Sequence, residues 1–202
     1  MILYLFGLVP ARYSYPQWAY LHGFPFDHYL SFFTNMFLHG GWVHIIGNMW
    51  FLYLFGSGVE DRLGHGRFLI FYLLSGVAAS VIYYVFAIHT TVPVMGASGA
   101  IAGVMGAYLV MFPKAKILTL ILIFFFPLFI ELSAFFYIGF WFLLQIFSGT
   151  LSLASQASEG GVAWWGHIGG FIAGVVLLPF FRNKGVSHRK RYPDETYNYI
   201  TY

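Results

Sequence analysis

Met-Gly-Ala-Ser-Gly-Ala-Ile-Ala-Gly-Val-Met-Gly-Ala, residues 95–107, sets one hydroxyl, that of Ser98, between Gly96 and Gly99 at the head of a helix that stays apolar to Phe112. Behind the serine, small residues recur at every fourth position: Gly99, Gly103 and Ala107 make one stripe, with Ala102 and Gly106 beside it. In an apolar helix such a stripe lets a neighbouring backbone approach closely. Two readings of Ser98 follow from this window. It is a candidate nucleophile at the top of a helix contact, or it caps the helix, a position that serine favours.

The surrounding chain decides what kind of helix this is. Of 202 residues, 59% are apolar, 22% aromatic and only 8% charged, and the mean hydropathy is +0.74. A soluble domain carries about 25% charge, so this chain belongs in lipid, as one polytopic domain. The absence of cysteine excludes disulfides, thiolate metal sites and a cysteine nucleophile. Residues 1–9 are too short to span a bilayer and do not make a signal peptide. Residues 10–41 are rich in Tyr, Phe and Pro and almost uncharged, as expected of a loop lying in the membrane interface, with short helical pieces such as 29–39.

Spans are expected from Trp42 to Phe55, ending at Gly56-Ser57-Gly58 before a charged turn with Glu60, Asp61 and Arg62, and then over residues 68–88, 94–112 and 162–181. Between them, residues 117–130 are about fourteen apolar positions interrupted by Pro127, a length that suits an interfacial or re-entrant segment. Glu131 precedes a further span over 132–147, and the two runs could also form one bent element. Residues 148–161, rich in Gly and Ser, read as a flexible loop. The fold class is thus all-α, a transmembrane helix bundle with five spans. Residues 1–181 form the membrane domain and 182–202 a polar tail.

Basic residues orient the bundle. Arg62, Arg67, Lys114, Lys116, Arg182, Lys184, Arg189, Lys190 and Arg191 lie on one side, against Arg12 alone on the other. The carboxyl tail is therefore expected in the cytoplasm. With that orientation, His44 and Asn48, four residues apart on one helix face, lie near the outer end of the first span. Ser98 lies at the outer end of its own helix, and His167 sits about a turn and a half into the last span. Each alone has a plain reading, as interhelical hydrogen-bonding groups or, for His167, as an interfacial neighbour of Trp164 and Trp165. Four such groups at one depth mark a functional site.

A second small stripe, Gly166, Gly170 and Gly174, pairs with Gly99, Gly103 and Ala107 and brings Ser98 within reach of His167. A neutral imidazole can then take the serine proton as the hydroxyl attacks a carbonyl, while Asn48, His44 and the Ser98 backbone N–H hold the developing oxyanion. No acidic residue shares that depth, Asp27 and Glu159 being loop residues, so a Ser–His dyad is expected. A proton or metal transporter built on His44 and His167 is disfavoured, because such carriers place ionisable groups along a path near the midplane.

Three segments, Leu-His-Gly-Gly-Trp-Val-His-Ile-Ile-Gly-Asn at 38–48, Gly-Ala-Ser-Gly at 96–99 and Gly-His-Ile-Gly-Gly at 166–170, resemble the rhomboid family of intramembrane serine proteases in order and spacing. The resemblance implies Ser98 as nucleophile, His167 as general base, and His44 with Asn48 as oxyanion donors. It implies no cofactor, no metal and no nucleic acid. The expected partners are the lipid bilayer and single-pass transmembrane proteins, cut near the outer end of their spans. It also makes residues 148–161 a cap over the site and residues 132–147 a lateral gate. The family's core has six helices, so its first would precede Met1, and the Trp-Arg pair common in its first loop is replaced by Leu30-Ser31. A non-proteolytic rhomboid-like binder of transmembrane clients is the alternative. The expected setting is a prokaryotic plasma membrane, with no oligomeric state implied.

Overall fold

The computed structural model describes residues 2–25, 29–154 and 163–182. Short helices α1 (Ile2–Phe6), α2 (Ala11–Ser14), α3 (Pro16–Leu21) and α4 (Ser31–Thr34), followed by a 3-10 turn at Asn35–Phe37, build the first loop. Five long helices follow: α5 (Trp42–Leu63), α6 (His65–Phe86), α7 (Ser98–Met111), α8 (Ala134–Ala154) and α9 (Trp164–Phe181). The molecule is a helical membrane bundle. Among the described residues, α6, α8 and α9 are long and apolar enough to cross a bilayer.

Helix α7 is the axis of the bundle. Its residues from Ala100 to Ala107 are all buried, and it is packed by α5, α6, α8 and α9. With 14 residues it rises only about 21 Å at ~1.5 Å per residue, so Ser98 at its head lies inside the protein rather than at a projecting end. The outward faces of its neighbours are apolar: Trp50, Tyr53, Val81, Ile172 and Val176 are exposed, a surface that suits lipid rather than water.

Three expected boundaries are corrected. Helix α5 does not stop at Gly56-Ser57-Gly58 but continues to Leu63, so Glu60, Asp61 and Arg62 form its last turn. Gly64, at φ +84°, both ends α5 and precedes α6, and only its left-handed backbone allows so short a reversal. The segment read as interfacial or bent is a β-hairpin, β1 (Lys116–Ile123) paired antiparallel with β2 (Phe126–Ser133), which adds a small sheet to the all-α expectation. Glu131 lies on β2 and meets Lys116 at 2.8 Å. Helix α8 starts at Ala134 and runs to Ala154, so residues 148–154 are helical rather than loop. The rest of the cap segment, the tail from residue 183, Asp27 and Glu159 lie outside the described residues.

The first loop is tied down by Arg12, only 5% exposed. Its guanidinium donates to the carbonyls of Leu5, at 3.2 Å, and Pro25, and lies 5.4 Å from the Phe24 ring centre. Ser31 is fully buried and hydrogen-bonds Tyr13 at 2.6 Å. The loop also fixes the approach to α7. Leu8 and Val94 exchange both backbone hydrogen bonds, and the Gly96 N–H donates to the Asn35 carbonyl at 2.9 Å.

Candidate active site

Helix packing brings the expected residues together. A Cβ on Gly170 would collide with the Gly99 carbonyl, and one on Gly174 with the Gly103 carbonyl, so α7 and α9 touch backbone to backbone. Gly103 serves two contacts at once, since its Cβ would fall 2.5 Å from Ser75 Cβ on α6 and 3.0 Å from the Gly170 carbonyl oxygen. Gly99 faces Ala79 of α6, where a Cβ would sit 2.6 Å away. Gly166 is different: a methyl there would meet nothing closer than 3.5 Å.

At the top of this contact His167 Nε2 lies 2.8 Å from Ser98 Oγ. Ser98 is the first residue of α7, and the N-cap position belongs to Ala97, so the hydroxyl does not cap the helix. It is directed to the histidine instead. The other imidazole nitrogen, Nδ1, lies 2.8 Å from Gln145 Oε1 on α8, and Gln145 is 5% exposed. Sequence reasoning missed this third group because it sought a carboxylate. The signal available was a lone polar residue in an apolar span, such as marks function in lipid.

On the other side of Ser98, the Gly40 N–H donates to His44 Nδ1 at 3.3 Å. An imidazole that accepts at Nδ1 when neutral carries its proton on Nε2. That Nε2–H lies over Gly96, where a Cβ would fall 2.8 Å from it and 3.7 Å from Asn48 Nδ2. Gly96 combines this close approach with φ +129°, which only glycine adopts readily. Asn48 is buried, and its Nδ2 has no protein acceptor. The Ser98 N–H opens α7, so no carbonyl within the helix accepts it. His44, Asn48 and Ser98 all line a largely apolar groove of about 620 Å³, bordered by Phe51 of α5, Met105 of α7 and Trp141 of α8. Beside His44, the His39 ring stands edge-on at 5.2 Å, and burial, followed by the neighbouring His44, holds its pKa below the usual histidine value.

Hydroxyl, imidazole and N–H donors form an arrangement able to attack a carbonyl and hold the resulting oxyanion. Among the described residues, no group of three His, Cys, Asp or Glu side chains is placed to hold a metal.

Residues 27–184 match the Rhomboid domain family model. The chain belongs to the rhomboid family. It is 36% identical over 119 residues to the rhomboid-family protein YdcA of Bacillus subtilis, covering 54% of this chain and 57% of that one. It is 42% identical over 76 residues to the rhomboid protease GluP of the same bacterium, covering 38% and 14% of the two chains. Rhomboid-like protein 11, chloroplastic, of Arabidopsis thaliana is 38% identical over 82 residues, 41% of this chain and 28% of that one. The match spans little more than half the length of YdcA and smaller shares of the others. As a rhomboid it is a multi-pass membrane protein, of a family whose members include intramembrane proteases.

Proposed function

We propose that this rhomboid is an intramembrane serine endopeptidase that cuts transmembrane proteins near the outer membrane face. The observation that carries the reading is the 2.8 Å contact between Ser98 Oγ and His167 Nε2. In the proposed reaction the Ser98 oxygen bonds to the scissile carbonyl carbon while its proton passes to His167 Nε2. The oxyanion is held by Asn48 Nδ2–H, His44 Nε2–H and the Ser98 N–H. Collapse of this intermediate breaks the C–N bond, the leaving amine takes the proton from His167, and an acyl-enzyme remains. Water, deprotonated by His167, then cleaves the ester and restores the serine. A separate space of about 30 Å³ that also borders Ser98 and His167 is large enough for one water.

The apolar groove suits an unwound stretch of a transmembrane segment, whose side chains prefer such walls and whose carbonyl can turn to the three donors. Gly99 and Gly103 of α7, against Gly170 and Gly174 of α9, keep the two helices in contact. Nine basic residues against one support a cytoplasmic carboxyl terminus. Relatives in chloroplasts and mitochondria share the family, so a prokaryotic plasma membrane is part of this proposal and not of the family assignment.

A serine-directed fluorophosphonate probe tests the reading. The chain in detergent is expected to label, and Ser98→Ala and His167→Ala to lose labelling while still folding. Labelling that persists in Ser98→Ala, or none in the parent chain alongside no cleavage of a single-pass substrate in membranes, overturns the peptidase and leaves a client-binding rhomboid.

A further inference from the structure

Helix α8 sends Gln145 to the side of His167 that faces away from the serine. The contact is 2.8 Å from His167 Nδ1 to Gln145 Oε1, and the amide's orientation is settled by its other end. Gln145 Nε2 lies 3.3 Å from the Trp141 carbonyl, one turn back along α8. A carbonyl can only accept, so it must be met by the NH2 group, and the amide oxygen is left facing the imidazole. That oxygen also can only accept, which requires the proton to be on Nδ1. A neutral imidazole with its proton on Nδ1 has its lone pair on Nε2, where Ser98 stands.

We propose that Gln145 is the positioning residue of this site, fixing the tautomer and ring orientation in which His167 can act as base. This rests on the Ser98–His167 reading above. Gln145 touches neither the nucleophile nor the place where substrate would sit, so it acts through the histidine. It fills with a neutral amide the place that a carboxylate holds in a catalytic triad. In an apolar bundle the choice has a physical reason. A buried carboxylate without a partner costs far more than an amide whose two ends are both hydrogen-bonded. The ring is held on its remaining sides by Trp141, at 5.9 Å between centres, and Trp164, at 6.5 Å. The titratable groups around it are His44 across the groove from α5 and Tyr83 from α6, with Ser98 from α7. No Asp, Glu, Lys or Arg lines either cavity at the site among the described residues.

Two substitutions separate positioning from packing. Gln145→Met keeps length and apolar volume but removes the acceptor. Gln145→Glu keeps an acceptor and adds charge. Labelling rates with the fluorophosphonate probe, measured against pH and at saturating probe, are expected to fall about tenfold in Gln145→Met, the worth of one buried hydrogen bond, with the probe concentration for half-saturation unchanged. Gln145→Glu is expected to keep most of the rate. Nitrogen-15 NMR of the histidines, with His167 assigned by its loss in His167→Gln, reads the tautomer without relying on activity. The parent chain should show a proton on Nδ1, and Gln145→Met a mixture. A parent-like rate and tautomer in Gln145→Met, or a rate in Gln145→Glu no better than that of Gln145→Met, overturns the proposal. Failure of the parent chain to label in a Ser98-dependent way, with the Nδ1 tautomer present, overturns the peptidase reading instead.

Discussion

Asn48 carries an unusual burden for a residue inside a bundle. It is 7% exposed, and its amide nitrogen meets no protein acceptor. A buried donor left without a partner costs about 1–3 kcal/mol, a cost offset only when an acceptor arrives, and in the proposed reaction that acceptor is the oxyanion. Removing the donor should therefore hurt turnover and not folding. Asn48→Ala is expected to lower kcat by about 10²–10³-fold, the usual loss for one oxyanion donor, with little change in KM, while the unfolding temperature in detergent stays the same or rises. A drop in stability with kcat intact would make Asn48 a structural residue. At this scale the sequence reveals part of the site. The four-residue spacing of His44 and Asn48 places both on one helix face, and the depth of Ser98 and His167 follows from where their helices begin. Gln145 escapes because an amide between Leu144 and Ile146 has no neighbour in sequence that points to a histidine twenty-two positions on. Only the packing of α8 on α9 brings them together.

Between helices, the contact that sets the Ser98–His167 distance is the backbone approach of α7 and α9. The glycines on it are not equivalent. In Gly174→Ala the new methyl would land on the Gly103 carbonyl, nearly two turns below the histidine, and the helices could accept it only by separating. Overpacking of this kind costs about 1–3 kcal/mol, so a lower unfolding temperature in detergent is expected. Probe labelling should fall with it, although residue 174 touches no reacting group. Gly166→Ala, one residue from His167, would meet only ordinary contacts at 3.5 Å or beyond and should match the parent chain in stability within about 0.5 kcal/mol. Equal damage at the two positions would detach the active geometry from the helix contact. The repeats of small residues are plain in the sequence, whereas the β-hairpin is not. A strand with one buried and one polar face shows alternation, but residues 116–133 carry exposed apolar side chains on both faces, Leu118, Leu120 and Leu122 on one and Ile121 and Ile123 on the other. Its turn is made by Phe124 and Phe125, with Phe124 at φ +55°, a conformation usually announced by Gly or Asn. Pro127 then reads as a helix break when it stands in a strand.

For the whole molecule, function depends on which side of the membrane the site faces. Ser98, His167, His44 and Asn48 all lie at the end of the bundle reached by the first loop, and Lys114 and Lys116 lie beyond the opposite end of α7. In the proposed orientation, which rests on nine basic residues against one, that second end faces the cytoplasm. The proposal rests on loop composition alone and draws nothing from the packing of the helices. The same charge pattern does not reveal how deep the serine sits, which follows from the 14-residue length of α7 and the loop folded over its head. A chain with no cysteine makes the test clean, since any thiol label reports the residue introduced. Gln17→Cys, exposed on α3 in the first loop, is expected to react with a membrane-impermeant maleimide added to intact cells. Lys190→Cys should react only after the membrane is permeabilised. The reverse pattern would place the serine on the cytoplasmic face, and substrates would then have to present the cytoplasmic ends of their spans.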